Sequence, residues 1–158
     1  MPRIILFVLA AFLAVPAGAV AKTRAEGDGS LGVSAASGTI VIQGDGVVYG
    51  QFDTGTLLVL DYKPDDAVST PFVSIARVSR VSNVYAGSDV RFLLPSGRYT
   101  IELIGVGIDA SAVGKGSIVA TGLGSPDDGS YTLNGTKTQD LGKVPTTDLF
   151  GPMSTVAP

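Results

Sequence analysis

Short apolar runs, separated by glycine, proline and aspartate, fill most of the chain after its first 21 residues. Along Arg98–Ile104, Tyr99, Ile101 and Leu103 fall on one face of an extended strand. The run Thr56–Tyr62 is almost continuously apolar, which is typical of a strand buried on both faces. No window of a dozen residues in this part combines an apolar stripe at helical spacing with freedom from glycine and proline. The pattern therefore predicts an all-β protein.

Turn residues divide these runs into strands. Asn134-Gly135, between Ser130–Leu133 and Thr136–Leu141, is the strongest short signal for a β-hairpin. Gly44-Asp45-Gly46 predicts a tight turn, and Pro95-Ser96-Gly97 predicts a hairpin that joins the strands on its two sides. About eight to ten short strands with turns between them favour an antiparallel sandwich or barrel. A parallel β-solenoid is the alternative, favoured by glycine-rich corners.

Two stretches of the chain, residues 39–66 and 100–128, resemble each other at a spacing of 61 residues. Thr39-Ile40-Val41-Ile42 aligns with Thr100-Ile101-Glu102-Leu103, and after a one-residue slip Pro64-Asp65-Asp66 aligns with Pro126-Asp127-Asp128. The spacing is longer than a solenoid coil of ~20–50 residues. We therefore expect two pseudo-symmetric halves of one sandwich or barrel. The alternative is coincidence, because a chain with 21 glycines matches itself easily.

The first residues have the layout of a secretory signal peptide. A cationic start at Arg3 precedes an apolar run from Ile4 to Val15, and Ala19-Val20-Ala21 fits the cleavage site. A membrane anchor is the alternative, but a spanning helix needs roughly 20 apolar residues. We expect a signal peptide at 1–21, a flexible leader at 22–37, one β domain at 38–142 and a proline-containing tail at 143–158. The mature chain would be secreted, or located in the periplasm or the cell envelope, after cleavage near Ala21.

Composition narrows the chemistry. The chain has no cysteine and no histidine, so the usual ligands of zinc and iron–sulfur clusters and the usual nucleophilic dyads are missing. Without the signal peptide, ten Lys and Arg face fourteen Asp and Glu, a net charge of −4. Clustered cations, which nucleic-acid binding requires, are not present. The sequence leans toward a protein without catalytic activity, with an extracellular or envelope partner.

The acidic turns are the candidate metal ligands. Asp65, Asp66, Asp127 and Asp128 could contribute oxygen ligands to calcium, the metal best suited to a site without histidine or cysteine. The favoured alternative is that Pro-Asp-Asp is ordinary turn chemistry, in which aspartate side chains accept bonds from nearby backbone N–H groups. Asn134-Gly135-Thr136 also matches the acceptor pattern for N-glycosylation.

Three functions remain open. The first is an exported β domain that is structural, surface-associated or partner-binding. The second is a barrel-type carrier of a small apolar ligand, which needs an open cavity inside the sheet. The third is a hydrolase that uses a carboxylate pair, Asp53 with Asp109 or Glu102, separated by ~5–9.5 Å.

Overall fold

The computed structural model describes residues 29–61, 67–69, 72–79, 82–135 and 137–151. These residues form one curled antiparallel sheet with the shape of a half-barrel, which confirms the all-β prediction. Every strand pairing among them is antiparallel, so the solenoid alternative is not what forms. No helix in this part of the chain is long and apolar enough to cross a membrane. The strands are β1 (Ser30–Asp61), β2 (Ala67–Ser69), β3 (Phe72–Ser79), β4 (Ser82–Leu94), β5 (Arg98–Gly122), β6 (Ser130–Leu133), β7 (Lys137–Asp140) and β8 (Thr146–Phe150).

Two strands are much longer than predicted. β1 has 32 residues and β5 has 25, whereas strands in globular proteins usually have 3–10. The predicted turn at Gly44-Asp45-Gly46 does not form, and the strand continues through it with Gly46 at φ 145°. Glycine permits this backbone angle without a Cβ clash, so the strand bends here and keeps its ladder.

Two ladders join β1 to β5. One runs from Gly38 opposite Gly122 to Asp61 opposite Tyr99. The other joins the first half of β1 to the first half of β5, from Ser30 opposite Val113 to the pair of Asp45 and Arg98. Each half of β1 and of β5 therefore pairs with a strand on both of its edges. The two-stranded ribbon that β1 and β5 form thus folds back and pairs with itself. The order is β4, second half of β1, first half of β5, first half of β1, second half of β5, β8.

The hairpin predicted around Pro95-Ser96-Gly97 is wrong. β4 pairs with the second half of β1, from Val48 opposite Leu94 to Leu60 opposite Ser82, and no described residue of β4 pairs with β5. After Leu94 the chain crosses to the first half of β1, where the carbonyl of Gly97 accepts a bond from the N–H of Gly46. The predicted hairpin around Asn134-Gly135 does form, as β6 and β7.

The inside of the curled sheet is filled by side chains. Leu57 and Val59 belong to this core, while Leu58 between them is buried on the opposite face, as the continuous apolar run predicts. The largest fully buried side chains are Tyr99, Tyr131, Phe52, Phe150, Leu31, Ile40, Ile42, Leu57, Leu58, Leu94, Ile101 and Leu103.

The sheet extends past both predicted bounds of the β domain at 38–142. β1 begins at Ser30, inside the predicted leader, because Leu31 and Val33 are buried in the core. β8 lies inside the predicted tail, where the buried Asp148 carboxylate accepts a 2.6 Å hydrogen bond from the Tyr131 hydroxyl. Burial is the largest cause, and this hydrogen bond a smaller cause, of a raised pKa for the Tyr131 hydroxyl. A polar contact thus holds β8 in the sheet, and a search for apolar runs in the sequence does not find this strand.

Candidate functional site

A groove of about 640 Å³ lies across the middle of β1 and β5, next to β4. We call it the outer groove because Tyr49, Gln51, Arg91, Asp109 and Ser111 border it from the face turned away from the core. Val33, Phe92 and Ala110, which also line it, belong to the core beneath. Its volume falls in the range of sites for small ligands, ~300–1,000 Å³. The polar and aromatic lining residues are Ser34, Tyr49, Gln51, Arg91, Asp109 and Ser111, and the others are Val33, Gly50, Phe92 and Ala110.

Strand register explains why these side chains meet. Gln51 lies opposite Arg91 on β4 and opposite Asp109 on β5, which places three polar side chains in one row across the sheet. Tyr49, two residues earlier on the same face, lies between Leu93 and Ser111. The groove is therefore assembled from three strands that are distant in sequence.

Gly50 allows the strands to meet closely beneath the groove. A Cβ at this position would lie 2.8 Å from the ring of Phe92 and 2.9 Å from the Cα of Ala110. Both distances are shorter than ordinary van der Waals contacts. The position therefore requires glycine, and the flanking side chains of Tyr49 and Gln51 border the groove from β1.

Asp109 is held in place by two donors. The N–H of Ala35 donates to its Oδ1 at 2.9 Å, and the Gln51 side-chain amide donates to Oδ2 at 3.5 Å. Ala35 has φ 49°, a left-handed conformation that costs a residue with a Cβ about 1–2 kcal/mol. Strained backbone of this kind concentrates at functional sites. The fold thus accepts a local cost while it positions this carboxylate.

Charges of both signs lie side by side at the groove. Arg91 also lines a second depression of about 180 Å³, together with Gln51, Asp53 and Asp89. Asp89, at φ 53°, is another residue with left-handed backbone. The cationic Arg91 therefore lies between anionic groups, and this surface has no excess of positive charge.

The predicted calcium ligands divide into two sets. Asp65 and Asp66 lie outside the described residues. Asp127 is exposed, whereas Asp128 is buried and its Oδ2 accepts bonds from the N–H groups of Gly124 and Ser125. This is the turn chemistry that the sequence offers as the alternative. Among the described residues no three Asp, Glu, His or Cys side chains are grouped to hold a metal, and calcium binding stays a prediction.

The proposed catalytic carboxylates have different surroundings. Glu102 and Asp109 are seven residues apart on β5, about 23 Å along an extended strand. Asp53 lies over Gly107, and Asp109 lies opposite Gln51, which binds it, so Asp53 and Asp109 are diagonal neighbours across β1 and β5. The structure thus separates Glu102 from the other two and uses Asp109 to tie strands together.

Glu102 is a buried carboxylate on the outer face of the sheet. It is 4% exposed, its Oε2 has no hydrogen-bond partner, and Val41 and Leu58 are its cross-strand neighbours. Burial raises the pKa of this carboxyl because the charged form loses hydration. The folded state therefore retains a proton that the unfolded state releases.

We expect Glu102→Gln to stabilise the protein at neutral pH by about 1 kcal/mol, since glutamine avoids the free-energy cost of protonating or charging a buried carboxyl above its unfolded pKa. The wild type should lose stability as pH rises from the unfolded pKa through the raised folded pKa, while the variant should not. Urea unfolding of both chains from pH 4 to pH 8 measures this. Equal slopes against pH would show that Glu102 is hydrated in the folded protein.

The asparagine of the predicted glycosylation pattern, Asn134, is buried in the folded domain. Its Oδ1 accepts bonds of 3.1 Å from the N–H groups of Gly29 and Gly151, and its Nδ2, the atom a glycan would occupy, is buried. Asn134 also has φ 51° in the tight turn of the predicted hairpin. The asparagine therefore serves the turn and joins two remote segments, and the folded domain leaves no room for a glycan there.

Tyr49 is the groove residue that sequence reasoning missed. No role is predicted for it from the sequence, and in the structure 49% of its surface is exposed. The signal available in the sequence is the alternation around it, since Val48 and Phe52 are buried and Tyr49 and Gln51 lie on the other face. Gln51 and Ser111 had no local signal, because only the pairing of β1 with β5 brings them together.

Comparison with protein-family models, with curated proteins and with solved structures gives no match for this chain.

Proposed function

We propose that this protein is an exported, non-catalytic binding module that engages an extracellular or cell-envelope partner through the outer groove. The observation that carries the proposal is the groove itself. It joins an exposed aromatic ring, Tyr49, to a carboxylate, Asp109, that the backbone of Ala35 fixes in place. Binding sites combine an apolar surface with a few polar groups held in position in this way.

The packing of the sheet favours this function over an apolar carrier. Aromatic and aliphatic side chains fill its interior, including Phe52, Tyr99 and Tyr131. A carrier needs that space for its ligand. The groove lies on the other face, where a ligand can bind without displacing the core.

Export is proposed from the first 21 residues alone. The cationic start, apolar run and Ala19-Val20-Ala21 site predict a mature chain that begins at Lys22. The lack of cysteine means that the β domain must be stable in an oxidising compartment without disulfides. The extensive hydrogen-bonded pairing of β1 with β5 is a source of stability that does not depend on disulfides.

We also propose that the domain consists of two related halves. Gly44 pairs with Gly116 across β1 and β5, and Gly55 pairs with Gly105. A shift of 61 residues relates the two pairs, because it takes Gly44 to Gly105 and Gly55 to Gly116. The same shift carries the ladder from Gly38–Gly122 to Asp61–Tyr99 onto itself, and also the part of the other ladder from Gly38–Gly105 to Gly44–Tyr99.

Each ladder has a centre, the point about which the shift exchanges its pairs. One centre is the pair of Val41 and Glu102, and the other lies in the middle of the groove, where Tyr49 corresponds to Ala110. The two halves carry different side chains at the groove, as we expect if only one of them contributes the ligand-binding ring.

The proposal is tested with envelope material from cells of the producing organism. We expect the purified mature chain to sediment with this material, and the double variant Gln51→Ala/Arg91→Ala to stay in solution. Leu123→Ala, a substitution of a 65% exposed residue outside the groove, is the matched control and should sediment like the wild type. Sedimentation of all three chains alike would place the binding surface elsewhere, and sedimentation of none would overturn the function.

A further inference from the structure

We propose that the outer groove binds a neutral oligosaccharide, whose ring lies against Tyr49 while its hydroxyl groups bond to Gln51, Arg91 and Asp109. The inference rests on the proposed function and names the class of ligand. It depends on the charge of the groove, the exposure of one ring and the type of polar group beside it.

Charge argues against an ionic ligand. Arg91 lies in one row with Asp109, and it shares the smaller depression with Asp53 and Asp89. The outer groove itself is lined by one cationic and one anionic side chain, Arg91 and Asp109, so its lining has no net charge to attract a cation or an anion. A polyanion would in addition approach the Asp53 and Asp89 carboxylates of the neighbouring depression. Like charges near a binding surface disfavour the ligand that carries them. A ligand without net charge meets neither penalty.

Tyr49 provides the apolar contact. Its ring is half-exposed on a strand whose neighbours pair on both sides, so it is held above the sheet with only two side-chain torsions free. Leu93, 40% exposed, lies opposite it and extends the apolar surface. The C–H face of a pyranose is flat and apolar, which suits such a surface.

The polar groups match hydroxyl chemistry. A sugar hydroxyl is both donor and acceptor, as in serine, and so it can bond to a carboxylate oxygen, an amide or a guanidinium. Asp109 accepts, Arg91 donates and Gln51 does both. Asp109 is already oriented by Ala35 and Gln51, which reduces the entropy lost on binding. All strands beneath the groove are paired on both edges, so a peptide cannot add there as a further strand.

The test is binding of the mature chain to β-1,4-linked tetrasaccharides of glucose, mannose, galactose and N-acetylglucosamine, measured by isothermal titration calorimetry. We expect at least one to bind, and Tyr49→Ala to weaken its binding at least about tenfold. Tyr49→Phe keeps the ring and should bind as the wild type does. Leu123→Ala controls for loss of exposed apolar surface. Near-ultraviolet circular dichroism of each variant shows that the fold is retained.

The β-1,4-linked tetrasaccharide of mannuronate, the carboxylated counterpart of the mannose tetrasaccharide, separates neutral from anionic recognition. Preference for the anionic form, or binding to none of the sugars, would overturn the inference. Binding that Tyr49→Ala leaves unchanged would overturn the site. If envelope sedimentation depends on the groove but no sugar binds, the proposed function stands and the ligand class fails. If sugars bind but envelope material does not, the ligand class stands and the envelope partner fails.

Discussion

Gly55→Ala is expected to destabilise the protein by at least about 3 kcal/mol. Gly55 lies opposite Gly105 in the ladder between β1 and β5. A Cβ at Gly55 would overlap the carbonyl oxygen of Ile104 and lie 2.9 Å from the Cα of Gly105. Both atoms belong to the backbone and cannot rotate aside, so the strands would have to separate locally. Chemical denaturation with a fluorescent or circular-dichroism signal measures the loss.

Gly32→Ala is the matched control because Gly32 also lies in β1 and a Cβ there would meet no atom within 4 Å. It should be neutral or stabilise the protein by about 0.5 kcal/mol, through reduced entropy of the unfolded chain. Gly116 is the counterpart of Gly55 in the other proposed half, with its Cβ position 2.9 Å from the Cα of Gly44. Gly116→Ala should therefore cost a similar amount. Equal stability of the Gly55 and Gly32 variants would contradict the register.

Asn134→Ala is expected to cost about 3–5 kcal/mol. The substitution removes the side-chain oxygen to which the N–H groups of Gly29 and Gly151, two buried residues, donate. It also places a Cβ without a compensating polar group at φ 51°. Thermal unfolding should show a large drop in midpoint, and the segments at the two ends of the described sheet should exchange their amide hydrogens faster.

Two further variants at this position separate the causes. Asn134→Gly relieves the backbone strain and should lose about 1 kcal/mol less than the alanine variant. Asn134→Asp keeps an acceptor oxygen and should retain slow exchange at the amide of Gly151. If the aspartate and alanine variants exchanged equally fast there, the side-chain oxygen would not be what joins these segments.

Local patterns predicted the class of fold because alternation and turn residues act over a few positions. The Asn134-Gly135 turn forms as predicted, since φ 51° and 69° are backbone angles that asparagine and glycine adopt readily. Strand lengths and neighbours depend on the whole sheet. Glycine at position 46 indicated a turn, but in the sheet its backbone angle bends a continuous strand. Pro95-Ser96-Gly97 turns the chain, yet β1 lies between the strands on its two sides.

The candidate site was only partly accessible to sequence reasoning. Asp53 and Asp109 were named as acids, because carboxylates carry chemistry on their own. Tyr49 and Gln51 belong to the groove only through register, and a shift of one residue would turn both toward the core. The proposed repeat at 61 residues stays a prediction, although glycines of the two stretches do pair across β1 and β5.

The most direct test of the account is amide chemical-shift mapping of the ¹⁵N-labelled mature chain, titrated with each neutral tetrasaccharide. We predict that at least one sugar shifts the amides of Ala35, Gly50, Gln51 and Ala110, and leaves those of β8 unchanged. Spectra that no sugar changes, or changes confined to residues outside the outer groove, would contradict the account.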